Sequence, residues 1–131
     1  MRITLSSGVK CMNPTSKILE SIYCLICQLP PVNKWKMPST AEIDFKVADK
    51  VFHDGHECFA TYSYDGETEL HEILISREMN TNFTVLLSSM LHECIHMRRS
   101  KKSEDWHLHD AVFKKYAKEI CLIYGLERIG F

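Results

Sequence analysis

The chain of 131 residues has no long hydrophobic run. Nothing in it approaches the roughly 18 consecutive apolar residues of a membrane span, and the longest apolar tract, 18–29, is interrupted by Glu20, Ser21 and Gln28. No membrane partner is expected. The first ten residues lack the apolar stretch and cleavage site of a secretory leader. An excess of charge is also missing: 16 Lys and Arg stand against 17 Asp and Glu, a formal net charge of −1. No global field would therefore draw the chain to nucleic acid or anionic lipid. Internal repeats and low-complexity segments are absent. The six cysteines, at 11, 24, 27, 58, 94 and 121, do not suggest a disulfide framework. Cys94 and Cys121 fall on apolar helical faces, where a reduced thiol acts as a small hydrophobe. A reducing, cytoplasmic compartment is the expectation.

What is present suits one globular domain over 1–131, with residues 1–14 as a flexible lead. Apolar residues make up 45% and charged residues 25%, enough of the first to build a core. Residues 15–29 place Ile18, Ile22, Leu25, Ile26 and Leu29 at helical spacing, and Pro30-Pro31 ends the run. Three alternating segments follow, 41–47, 57–64 and 70–76, with Asp-Gly turn signals at 54–55 and 65–66. They predict a three-stranded antiparallel meander. A second helix is predicted over 81–99, with Thr81 or Asn82 as its cap and Phe83, Leu86, Leu87, Met90, Leu91, Cys94 and Ile95 as its buried stripe. A last helix over 110–124 turns Val112, Phe113, Tyr116, Ala117, Ile120 and Ile123 inward and stops at Gly125. The fold class is α+β. Arg98, Arg99, Lys101 and Lys102 form one basic cluster and Lys114, Lys115 and Lys118 another, each read as a solvated face.

The second helix carries His92-Glu93-Cys94-Ile95-His96. Residues four apart on a helix sit one above the other. Two imidazoles so placed can grip one zinc ion, and the intervening glutamate can reach a water on it. Zinc acidifies that water and Glu93 would take its proton as general base. Helix phase turns His92 and His96 roughly 160° from the centre of the apolar stripe, towards Val85, Ser88 and Ser89. One zinc ion needs a third protein ligand and an open fourth position. The long pattern ending in G-x-x-H is excluded, because Arg99 and Lys102 stand where it needs glycine and histidine. His109 is the choice for the third ligand, since a last helix extended back one turn sets it beside Phe113 and Tyr116; His107 and Glu119 are the alternatives. Cys24-x-x-Cys27 lies in an apolar helix and reads as core packing.

With these residues in hand, the chain resembles the SprT-like and WLM group of minimal zincin peptidases. The matching segments are Ile73-Leu74-Ile75-Ser76, then Leu91-His92-Glu93-Cys94-Ile95-His96, then His109-Asp110-Ala111-Val112-Phe113, within about residues 15–125. In that group a histidine four residues before a phenylalanine is the third ligand, which matches His109. The resemblance implies a minimal zincin fold and a zinc-dependent endopeptidase acting on a protein or peptide, in some members on proteins bound or crosslinked to DNA. No zinc ribbon of the kind that many members carry after this domain is expected. The strand 70–76 would form the cleft edge for an extended substrate. Tyr116, His107 and Arg98 are candidate transition-state donors, and His53, His56 and His71 read as surface residues. Alternatives are a repressor-cleaving peptidase of the ImmA/IrrE type, a non-catalytic zinc-stabilised binding protein and a nucleic-acid-binding module.

Overall fold

A computed structural model describes residues 12–128. The first eleven residues of the expected flexible lead lie outside the described residues. Helix α1 spans Ser16–Gln28, capped by Thr15, whose hydroxyl accepts from the Ile18 N–H at 3.3 Å. Short 3-10 turns at Val32–Lys34 and Thr40–Glu42 lead to β1, Ile43–Ala48. Strands β2 (Val51–His53), β3 (His56–Cys58), β4 (Ala60–Asp65) and β5 (Leu70–Ser76) precede α2 (Phe83–Lys101) and α3 (Ala111–Tyr124). The α+β class and the three helices agree with the sequence reading to within two residues at each end. Asn82 is the α2 cap, accepting from Val85 N–H at 3.0 Å. No helix among the described residues is long and apolar enough to cross a membrane.

The antiparallel meander is not what forms. The sheet runs β1-β5-β4, with β5 parallel to β1 and antiparallel to β4, while β2 and β3 make a separate hairpin. The Asp54-Gly55 turn is real, but it closes only that hairpin, with both residues at positive φ. The segment 57–64 is not one strand. It breaks at Phe59, whose carbonyl accepts from Ser76 N–H at 2.9 Å and from the Asn80 side chain at 2.9 Å. The long connection from β1 to β5, which holds the hairpin and β4, is what a parallel pair needs. β5 at the centre is the most deeply buried strand, with Ile73 and Ile75 wholly buried. Phe45, Ile73 and Tyr62 share one rung of the sheet's inner face, whereas Lys46 and Glu72 on the outer face are 3.7 Å apart as an ion pair.

Helix α1 packs on β1 and α2, α2 lies chiefly over β4, and α3 packs on α2. As a result α2 is enclosed on nearly every side: Leu86, Met90, Leu91, Cys94, Ile95 and Met97 join the core, and His92, Glu93 and His96 are buried as well. Of the cysteines expected to pack as hydrophobes, Cys94 is buried and Cys121 half-buried. Cys27 is half-buried but Cys24 is exposed, and both line a groove of about 440 Å³ that no site histidine touches. Core packing therefore accounts for only one member of that pair.

Candidate metal centre

Helix α2 is anchored one turn before the motif. Asn80 has no exposed surface. Its amide donates to the Ser76 carbonyl at 2.7 Å and the Phe59 carbonyl at 2.9 Å, and its oxygen accepts from the Ser89 hydroxyl at 2.6 Å. This ties the end of β5, the break before β4 and the first turns of α2 to one amide. Its consequence is that His92, Glu93 and His96 leave a rigid helix at a fixed height above the sheet.

The third histidine arrives differently. α3 does not extend back through His109. Asp110 is its cap, accepting from Phe113 N–H at 3.1 Å, and His109 sits just ahead of it. The Nε2 atoms of His92 and His109 are 3.0 Å apart, those of His96 and His109 3.1 Å, and those of His92 and His96 3.2 Å. Three ligands on a tetrahedral zinc stand about 3.3 Å apart, so the triangle has the right size for three facial positions. Its chemistry fits too. His96 Nδ1 meets the Trp106 carbonyl, so that nitrogen carries the proton and Nε2 presents a lone pair to the other two rings. With the other two rings in the matching tautomer, three lone pairs would meet where a cation could sit. The three residues are thus a group that could hold a metal ion. Phe113, fully buried, lies under all three imidazoles with ring centroids 4.8–4.9 Å away.

Electrostatics keep the site ready for a cation. Burial, with lesser help from the charges of His109, Arg99 and His107, pushes His96 down to about 4 against the pull of the Trp106 carbonyl. Burial first, then the charge of His53, lowers His109. Neutral imidazoles are the ligand form at neutral pH. The Glu93 carboxyl, 4% exposed, is pushed up to about 8 by burial alone. Among the described residues it has neither hydrogen bond nor ion pair.

Of the other candidates, His107 and Glu119 are exposed and outside the triangle. Arg98 donates to the Trp35 carbonyl at 2.6 Å, and Tyr116 packs edge-on against the Trp35 ring at 5.1 Å, so both bind the helices to the 32–35 turn. Of the three proposed donors, His107 has a charge felt at His96. His71 is not a surface residue. It is 4% exposed and shares a 2.6 Å hydrogen bond with the Tyr62 hydroxyl. Nor is Arg99 part of a solvated face, being 3% exposed.

Sequence reasoning missed the β2–β3 hairpin. Val51 and Cys58 share a rung, as do His53 and His56, and residues two apart on a strand face the same way. Val51 is buried and Cys58 half-buried, while His53 and His56 at the turn end are exposed, as the sequence suggests. Burial chiefly, with a contribution from Glu93, raises the Cys58 thiol, and His53 lies within electrostatic reach of His109. The hairpin packs on β4 and β5. Only the Asp-Gly turn foreshadowed it, and a turn does not say what its strands will cover.

β5 is also not a cleft edge, since β1 and β4 occupy both its sides. The sheet edge beside α2 belongs to β4. Comparisons of the chain with protein-family models, with curated proteins and with solved structures find no match.

Proposed function

We propose that this chain is a zinc-dependent endopeptidase of the SprT-like and WLM kind, with zinc on His92, His96 and His109 and with Glu93 as general base. One observation carries the reading: three Nε2 atoms converge at 3.0–3.2 Å, and Glu93, next to the first of these histidines on the same helix, has a buried carboxyl with no hydrogen bond or ion pair among the described residues. A carboxyl buried without compensation is costly, and a purely structural metal site has no use for it. A water-activating base needs that placement and a raised pKa. This disfavours a non-catalytic zinc-stabilised protein.

Zinc, when bound, would supply an acidified water and polarise a carbonyl. Glu93 would accept the proton and return it to the leaving nitrogen. The free edge of β4 would align an extended peptide by main-chain hydrogen bonds. His107, exposed at the rim, is the donor candidate best placed for a developing oxyanion. A nucleic-acid role loses support, because the first basic cluster is half consumed by internal contacts of Arg98 and Arg99. Action on DNA-associated proteins rests on the resemblance alone. A cytoplasmic setting fits the reduced cysteines.

Elemental analysis of protein purified without a metal-chelating tag tests the centre, and cleavage of a fluorogenic denatured casein tests the activity. The reading expects one zinc per chain, loss of zinc in His109→Ala but not His107→Ala, and zinc-loaded but inactive Glu93→Gln. Folded protein that takes up no zinc, even on addition, would overturn it.

A further inference from the structure

Two of the three candidate ligands need no help to find each other, since His92 and His96 are four apart on one rigid helix. The third lies on the connection between α2 and α3, and one side chain grips that connection on both sides of it. α2 continues past His96 to Lys101, which carries Arg99 to the end of the site. The Arg99 guanidinium is buried, 3% exposed, and meets acceptors on three residues of that connection. Nε donates to Glu104 at 3.2 Å, Nη1 to the Leu108 carbonyl at 3.1 Å, and Nη1 and Nη2 to the two oxygens of Asp110 at 2.8 and 3.0 Å.

Leu108 and Asp110 are the immediate neighbours of His109. One planar fork thus holds the chain on both sides of the third ligand, through the Leu108 carbonyl and the Asp110 carboxylate, and a fork fixes orientation as well as distance. The same contact reaches further. Asp110 starts α3 through the Phe113 N–H, and Phe113 is the floor under the three rings. Glu104 lies two residues before Trp106, whose carbonyl sets the His96 tautomer.

We propose that Arg99 is a positioning residue for the metal: the Arg99–Glu104–Asp110 clip delivers His109 to a preformed two-histidine half-site and so sets metal affinity. Without the clip α2, the sheet and the half-site persist, while His109 samples positions outside the triangle. The inference rests on the metal-centre reading above but not on catalysis.

The test is a zinc titration of the full chain against a chromophoric chelator, together with the visible spectrum of the cobalt(II) form. Two variants separate positioning from folding. Arg99→Lys keeps the charge and loses the fork. Asp110→Asn keeps an oxygen to cap Phe113 and loses the bidentate pair. The expected result is a folded protein by circular dichroism with zinc affinity reduced about 10- to 100-fold in each, and a cobalt spectrum altered from the wild-type three-histidine form. Glu104→Gln, which touches one bond of four, gives a smaller loss. Should Arg99→Lys fail to fold, Asp110→Asn decides. Wild-type affinity and spectrum in a folded Asp110→Asn overturn the clip. A wild type that takes up no zinc overturns instead the metal-centre reading beneath it, so the two failures are distinct.

Discussion

Replacing Glu93 by glutamine should stabilise the metal-free protein while abolishing its proposed activity. The Glu93 carboxyl is buried without hydrogen bond or ion pair among the described residues, and burial raises it from 4.5 to about 8. A carboxyl whose folded pKa lies above its unfolded value favours folding only in its protonated form. The unfolded chain gives up the proton near pH 4.5, the folded chain not until pH 8, so between these values every step up in pH costs stability. The linkage relation puts that cost on the order of 3 kcal/mol at pH 7 and roughly 4 kcal/mol at pH 8. A domain of this length has a total stability of roughly 7–20 kcal/mol, so the effect is measurable and not fatal. Glutamine is isosteric, cannot ionise, and removes the cost.

The assay is urea unfolding of chelator-treated wild type and Glu93→Gln from pH 5 to 9. The two curves should lie close together near pH 5 and separate steadily towards pH 8, the variant above. The site histidines do not confuse the comparison, because His96 and His109 are lowered and neutral across the upper half of this range in both proteins. Zinc should narrow the gap, since a dication beside Glu93 favours its ionised form. A variant no more stable than wild type at pH 8 would refute the reasoning, showing that the carboxyl is compensated by some group its surroundings do not reveal.

Three further outcomes follow from the packing. Phe113→Ala should lower the stability of the apoprotein by about 3–5 kcal/mol, the usual cost of deleting a buried phenylalanine, and weaken zinc binding because three imidazoles lose their floor; urea unfolding and a zinc titration check both, and a loss under about 1 kcal/mol would mean the rings do not depend on it. Asn80→Ala should cost about 1–3 kcal/mol, because the Ser89 hydroxyl loses its acceptor and the Phe59 and Ser76 carbonyls keep only their backbone donors, read by the same unfolding assay, and an unchanged midpoint would sink that account. On the acid side, the hydrogen bond from Arg99 holds the Asp110 carboxyl below its ordinary range. Its stabilisation is therefore fully present above about pH 4 and lost as pH falls through the lowered value. Asp110→Asn should flatten the acid limb of the stability curve, and an unchanged limb would show that the pair contributes nothing.

The parts of the fold that could be read from sequence are those governed by short-range periodicity. The three helices declared themselves through apolar residues every three or four positions, and Asn82, Asp110 and Gly125 stand at their ends in the structure. The strand pairing did not, because alternation says which residues share a face but not which strand lies alongside. β5 could follow β4 in a hairpin and still insert beside β1, and only the depth at which Ile73 and Ile75 are buried decides it. The same limit governs polar residues with distant partners. His71 looked like a surface residue because Tyr62, which holds it, sits on the neighbouring strand, and Arg99 looked solvated because its acceptors lie across an irregular loop. The centre itself was legible in two parts of unequal strength. The His92–His96 pair follows from helix geometry. His109 was chosen by extending α3 back one turn, yet α3 begins after it, and the residue reaches the triangle by way of the Arg99 clip.

That difference in how the ligands are held bears on how the site would work. The two helix ligands are fixed from the sheet side through Asn80, and the third from the far end of α2 through Arg99. No contact is shared by the two anchors. A disturbance of the loop would therefore reach metal affinity before it reached the alignment of Glu93, which rides on the helix. A disturbance at Asn80 would move Glu93, His92 and His96 together relative to β4, the strand proposed to align the substrate. Loop variants should thus lose zinc, whereas variants at the foot of α2 should keep zinc and lose turnover, because the base and the peptide no longer meet at the right height.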